Sequence, residues 1–305
     1  MRTTTVRVPA KINLCLGVGP RRDDGYHPLA TVYQAVDLCD EIRATEVSDD
    51  AVTVRVQFAG DGRREEAPVP TGPDNLAVKA ACALRDAFAV DAGVSLAIRK
   101  AIPVMGGMAG GSADAAAALV ACDALWGTGA TRSELEDIAA TLGSDVPFLL
   151  HGGTALGGGR GEEVSPVLAR GRFHWVFAIA DRGLSTAEVY ARYDELHADV
   201  PPPAPEVPQE LLTALAAGDA TALGAALSND LQKASLDLRP ELGRVLEVAQ
   251  EGDALGALVS GSGPTVMLLA EDTVHSEELA RLLLATGVCA DAVHASGPEP
   301  GARLV

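Results

Sequence analysis

Four glycines, Gly106, Gly107, Gly110 and Gly111, fall within six residues of the stretch Pro103 to Asp114. Before them Val94, Leu96 and Ile98 alternate with small or polar residues, as in a half-buried strand. After them comes an alanine-rich run, Ala113 to Trp126. Strand, glycine loop and helix in that order suit a phosphate. Glycine lets a backbone bend through φ > 0 and lie directly on a ligand. The leading N–H groups and the dipole of the helix favour an anion. Ser112 is the expected N-cap of that helix. A plain turn is the other reading of the same residues. Two further places offer chemistry. Lys11 and Asn13 alternate with apolar neighbours, so both point the same way from one strand, about 7 Å apart. Their face is either solvated or turned to a site. Asp145 follows a helix end and precedes the apolar run Phe148 to Leu150. It is either the cap of the next helix, with Pro147 in the first turn, or an acid held for use.

The loop is not a Walker A motif. Gly106 and Gly111 have the spacing, but Ser112 stands where lysine belongs. A dinucleotide fingerprint and the protein-kinase signatures are also missing.

The elements that must position these residues follow from pattern. Val6, Val8, Ala10, Ile12, Leu14 and Leu16 share the opposite face of the Lys11 strand. Asp24-Gly25 marks a turn, which displays Tyr26 and His27 beside that strand. Thr31 to Asp37 and Val52 to Phe58 read as strands. Asp74 or Asn75 caps a helix, and Thr131-Arg-Ser-Glu134 is a capping box whose helix is expected to bury Leu135, Ile138 and Leu142. His151 to Gly161 is a second glycine-rich turn, and Asp61 to Pro70 is a surface excursion. Strand Phe173 to Ala180 precedes a second capping box, Ser185-Thr-Ala-Glu188. Its helix carries Tyr190 and Tyr193. After the proline-rich connection Pro201 to Pro208, two or three helices are expected, then strands Leu255 to Val259 and Thr265 to Leu269, a helix from about Ser276, and a strand Cys289 to Ala295. This order predicts two α+β domains divided near Ser165.

Composition narrows the function. Of 305 residues, 48% are apolar and 22% charged, enough to bury a core. A net charge of −18 argues against nucleic acid or an anionic membrane as partner. An anionic ligand then depends on a helix terminus and a few lysines. Five cysteines make no C-x-x-C, so neither a disulfide framework nor a zinc site is expected. No apolar signal core or membrane-length run is present in the sequence, so a cytoplasmic protein is expected.

The loop resembles the second motif of the GHMP small-molecule kinases, usually Pro-x-x-x-Gly-Leu-Gly-x-Ser-Ser-Ala. Here Met108 stands for the leucine and Ala109 for the glycine after it. Pro9-Ala-Lys-Ile-Asn-Leu14 resembles the first family motif, and Leu142-Gly-Ser-Asp-Val-Pro147 the segment with the catalytic aspartate. Asn229-Asp230 and Ser260-Gly-Ser-Gly-Pro-Thr265 resemble later motifs. Gly25-Tyr-His27 is similar to the branch whose acceptor alcohol carries a cytidine diphosphate.

The resemblance implies a two-domain α+β GHMP kinase fold. Its N-terminal ATP-binding domain (1–165) is ribosomal-protein-S5-domain-2-like, and its C-terminal domain (166–305) is a ferredoxin-like α/β sandwich. It implies ATP, with Mg²⁺ carried on the nucleotide, as co-substrate and no tightly bound cofactor. Asp145 would be the general base and Lys11 its partner. Pro103, Val104, Met105, Gly106, Gly107, Met108, Ala109, Gly110, Gly111, Ser112 and Ala113 would wrap the phosphates. Asn13, Tyr26, His27, Thr186 and Tyr190 would hold the acceptor, with Tyr26 and Tyr190 stacking on the base. No protein metal site is expected. Ser112 is the best candidate to touch the Mg²⁺, and Asp114 is a weaker one, expected to serve the helix dipole. Partners would be small molecules only, with no nucleic acid and no membrane, and the protein a monomer or weak homodimer. Another GHMP kinase, for homoserine, mevalonate or a sugar, or a silent nucleotide-binding regulator are the alternatives.

Overall fold

The computed structural model describes residues 2–59, 69–104 and 106–305. Met105 and most of the Asp61 to Pro70 stretch therefore lie outside the described residues. The alternating run near the N-terminus becomes β1 (Thr3–Val18), antiparallel to the long β2 (Leu29–Val47). The ladder shifts register at Pro9/Ala10 and again between Asn13 and Cys15, which bends the pair. The two halves of β2 therefore take different partners. Residues 41–47 pair with β4 (Gly93–Lys100), itself parallel to β3 (Val52–Phe58). Residues 31–34 pair with β5 (Thr154–Gly158), which turns back into β6 (Glu163–Pro166). The expected turn at His151 to Gly161 thus holds a five-residue strand, Thr154–Gly158, before it turns at Gly159 to Gly161. A Cβ at Gly157 would lie 2.4 Å from the Tyr33 ring, so the glycines there make room for a buried phenol.

Helix α1 (Leu76–Ala87) is capped by Asn75, whose side chain accepts from the Ala77 amide. Helix α2 (Gly110–Trp126) is alanine-rich and buries ten of its seventeen residues, Ala113 to Leu119 among them. Its alanines let it lie close on β1 and β2. The Thr131 capping box of α3 (Arg132–Leu142) is formed in both directions. Only Ala139 of that helix is fully buried; Leu135, Ile138 and Leu142 are half-buried at the core's edge, because α3 lies on α1 and α2 at the surface. The short α4 (Val146–His151) follows.

The second sheet holds β7 (Phe173–Ile179), β9 (Gly256–Val259), β10 (Val266–Ala270) and β11 (Asp291–Gly297), in the order β11-β7-β10-β9. That is the strand order of a ferredoxin-like β-α-β-β-α-β unit. Between β7 and β9 run α5 (Thr186–Leu196), α6 (Gln209–Ala217), α7 (Ala220–Ala226), the two-residue β8 (Ser228–Asn229), α8 (Gln232–Leu238) and α9 (Glu241–Glu251). Four helices thus stand where two or three were expected after the prolines, because Gly218 and Pro240 divide the apolar pattern. Helix α10 (Thr273–Thr286) starts three residues before Ser276, capped by Asp272. The last strand, β12 (Arg303–Leu304), returns to pair with Val6 and Arg7 of β1. β8 pairs in parallel with the same strand at Cys15 and Leu16. Among the described residues no helix is long and apolar enough to cross a membrane.

Candidate active site

A cleft of about 1030 Å³ opens where β1, the loop before α2, the start of α4 and helix α5 converge. Helix α2 begins at Gly110, two residues before the expected cap. The residue ahead of it, Ala109, adopts the left-handed conformation (φ 58°), and no side chain caps the first turn. Ser112 is therefore inside the helix and not its N-cap. An uncapped first turn leaves its leading amides for an anion. At Gly107 φ is +72°, and a Cβ would lie 2.4 Å from the Ser260 carbonyl. The glycine is needed because the loop rests its tip on the turn between β9 and β10. Ser260 Oγ donates to the Gly107 carbonyl at 3.3 Å. Asn229 braces the same turn, its Nδ2 donating to the carbonyls of Val259 at 2.7 Å and Gly261 at 2.8 Å. The Lys11 amide donates to the Met108 carbonyl at 3.3 Å, joining the loop to β1.

Pro103, Gly106, Gly107, Ala109, Gly110 and Gly111 face the cleft. Met108 and Ala113 are instead buried in the core. Val104 and Ser112 lie outside the cleft lining, and Ser112 is half-buried.

Lys11 and Asn13 do share a face. Lys11 Nζ donates to Asn13 Oδ1 at 2.8 Å, and Asn13 Nδ2 donates to Thr31 Oγ1 at 2.8 Å. The ammonium is also 3.5 Å from Asp145 Oδ1. Asp145 occupies the N-cap position of α4, yet its side chain makes no cap hydrogen bond. The carboxylate turns to the lysine instead, with 28% of its side chain exposed to the cleft. Tyr33 completes this corner and was not anticipated. Its ring lies 5.2 Å from Lys11 Nζ and packs on Phe148. Burial, and then the charge and hydrogen bond of Asp145, push its phenol well above the ordinary range. It therefore remains a donor toward that carboxylate at neutral pH.

The other end of the cleft is aromatic. The His27 and Tyr190 rings are 5.0 Å apart and tilted by 33°. Tyr26 does not pair with Tyr190 as expected. It is 54% exposed, with the Arg160 guanidinium 5.0 Å over its ring. His27 is buried, and its Nε2 lies 2.8 Å from Asp194 Oδ1. A carboxylate can only accept, so Nε2 is assigned the proton. Burial, followed by the charges of Asp145 and Tyr193, raises the Tyr190 phenol. Thr186 Oγ1 and Ser262 Oγ are 2.9 Å apart, tying α5 to the glycine-rich turn. Arg21, Arg160 and Asp194 line the cleft as well. Of these, Asp194 had a signal in the sequence, since it lies one helical turn beyond Tyr190.

Asp114 departs from its expected role. It is buried on the core side of α2, and its Oδ2 accepts from Lys100 Nζ at 2.8 Å. Burial raises its carboxyl above the ordinary range, and the adjoining Lys100 ammonium opposes that rise. It serves an ion pair and not the helix dipole.

The chain matches the family described as GHMP kinases N terminal domain over residues 75–153, and that described as GHMP kinases C terminal over residues 211–288. It is 56% identical to a 4-diphosphocytidyl-2-C-methyl-D-erythritol kinase of Thermobifida fusca, over 99% of this chain and 98% of that protein. Its identity to a kinase of the same description from Streptomyces coelicolor is 50%, over 99% of each. Among solved structures, a crystal structure of 4-(cytidine 5'-diphospho)-2C-methyl-D-erythritol kinase superposes with a TM-score of 0.76 at 32% identity, covering 96% of this chain and 98% of the other. A homoserine kinase from Cytophaga hutchinsonii shares the fold at 16% identity, with a TM-score of 0.74 over 100% of this chain and 98% of the other.

Proposed function

Since this chain belongs to the GHMP kinases, and among them to the 4-diphosphocytidyl-2-C-methyl-D-erythritol kinases, we propose that it transfers the γ-phosphoryl group of ATP to the 2-hydroxyl of 4-diphosphocytidyl-2-C-methyl-D-erythritol. This is a step in making isoprenoid precursors by the non-mevalonate route. The observation that carries the mechanism is the free carboxylate of Asp145, 3.5 Å from Lys11 in a cleft shared with the glycine loop. The acceptor oxygen bonds to the γ-phosphorus while the bond from phosphorus to the β-phosphate oxygen breaks. Asp145 takes the hydroxyl proton, and ADP leaves. Lys11 holds the carboxylate in place and offers positive charge to the transferring group. The amides of the glycine loop and of the first turn of α2 receive charge spread over the phosphates. His27, Tyr26 and Tyr190 hold the cytosine, while Asn13 and Thr186 make polar contacts to the acceptor.

Among the described residues no three His, Cys, Asp or Glu side chains gather as a metal site. The half-buried hydroxyl of Ser112, 4.0 Å from where a Cβ of Gly143 would lie, fits a contact to an ion carried by the nucleotide. Mg²⁺ bound with ATP would neutralise phosphate charge there. The chain would work in the cytoplasm on small molecules alone, as a monomer or weak homodimer, with residues 1–165 as the ATP-binding part and 166–305 as its C-terminal complement. A coupled ADP-release assay tests the reading. Turnover with the cytidine diphosphate alcohol, abolished by EDTA, is expected. Turnover only with homoserine would overturn it.

A further inference from the structure

Lys100 closes β4 and is buried together with Asp40 of β2 and Asp114 of α2. Its Nζ donates to Asp40 Oδ2 at 2.6 Å, to Asp114 Oδ2 at 2.8 Å and to the Gly110 carbonyl at 3.3 Å. The other oxygen of Asp40 accepts from two consecutive amides, Ala101 at 2.6 Å and Ile102 at 2.9 Å. These contacts fall on both sides of the glycine loop. Asp40 grips the chain just before Pro103, and Lys100 grips it where α2 begins. None of the three side chains lines the cleft.

Stability alone does not explain them. Burying charged groups costs several kcal/mol per ion, and apolar side chains of similar volume often serve a core as well or better. What an apolar cluster lacks is direction. Charge-assisted hydrogen bonds hold donor and acceptor at fixed length and angle. The amides that receive phosphate are useful only if their aim is fixed in advance.

We propose that Asp40, Lys100 and Asp114 form a buried clamp that fixes both feet of the phosphate loop, and so act as positioning residues for the nucleotide without touching it. The proposal rests on the kinase reading for the identity of the ligand. The clamp completes a division of labour: the second sheet holds the tip of the loop through Ser260, and the first sheet holds its feet.

The test is calorimetric titration with a non-hydrolysable ATP analogue and Mg²⁺, without any acceptor alcohol. Two proteins are compared with the wild type: Asp40→Asn, and the triple variant Asp40→Asn, Lys100→Met, Asp114→Asn. The triple variant removes all three charges at nearly constant volume, so no unpaired ion is left buried to unfold it. Both are expected to bind the analogue about tenfold more weakly or worse, since small misplacements of positioning groups cost factors up to about 10². The KM for the cytidine substrate should stay within twofold, and the thermal midpoint of the triple variant within a few degrees. Analogue affinity within twofold of wild type would overturn the clamp, as would an equal loss at the cytidine end, which marks general destabilisation. Wild-type protein that binds the analogue but phosphorylates no cytidine alcohol would overturn the substrate reading and leave the clamp standing. Failure of the wild type to bind the analogue would overturn both.

Discussion

The two ends of the cleft, proposed for phosphate and for base, are built by different means. The phosphate end is built from backbone: Gly106, Gly107, Gly110 and Gly111 face the cavity with no side chain at all. The base end is built from side chains, namely the rings of His27, Tyr190 and Tyr26 and the carboxylate of Asp194. The contrast separates the loop's positions by what decides their residue type. Met108 and Ala113 point into the core, where packing decides the residue type. Only their backbone belongs to the loop's work. At the base end an exchanged side chain is an exchanged contact.

The contrast can be broken or sharpened by substitution. The largest effect should come from Asp145, the proposed general base between the two ends. Asp145→Asn should lower kcat by about 10²-fold or more while both KM values change little. A loss under threefold would reduce Asp145 to a local structural residue. Next, Gly107→Ala forces a Cβ to within 2.4 Å of the Ser260 carbonyl at positive φ. The loop must shift, and kcat/KM for ATP should drop by up to about 10²-fold; steady-state kinetics with ATP varied would show it. The KM for the cytidine substrate should hold. Tyr190→Ala should do the reverse, raising the cytidine KM by about tenfold, in line with ~1–3 kcal/mol per stacked base, and leaving ATP alone. Tyr26→Ala should act in the same direction but less, since Arg160 already covers its ring. If either change weakened ATP instead, the two ends would have been assigned in reverse. The smallest effect is at Ala109, a left-handed alanine where the family pattern has glycine. Ala109→Gly should relieve strain and raise stability in chemical denaturation by about 1 kcal/mol, with kinetics unchanged.

What could be read in advance was the local. The period of two along β1 placed Lys11 and Asn13 on one face, and their side chains meet at 2.8 Å. The glycine loop announced its own geometry except for the helix start, because a left-handed alanine at 109 is not a pattern that composition reveals. The direction of a side chain was not legible. Asp145 stands at a cap position by sequence and by backbone, and only the folded chain turns its carboxylate to Lys11. Tyr33 reads as one more core aromatic on a strand. Its part in the site depends on β5, which pairs with β2 from more than a hundred residues away. Asp114 reads as an acid for the helix dipole, and Asp40 and Lys100 carry no local signal, until α2 is laid over β2 and β4. Long-range pairing, and not residue type, made these groups part of a site.

The edge of β1 has a consequence for the making of the protein. One side of this strand is covered by β2 within the first fifty residues, but the other is met only by β8 and β12, near residues 228 and 303. A ribosome adding roughly 5–20 residues per second finishes the first sheet's inner strands many seconds before it supplies their outer neighbours. For that interval the strand that carries Lys11 has an open ladder, the kind of edge to which other chains add. The strand at the centre of the proposed site thus waits on the last strand to be made, β12, and its safety in the cell is a question of timing as much as of energy.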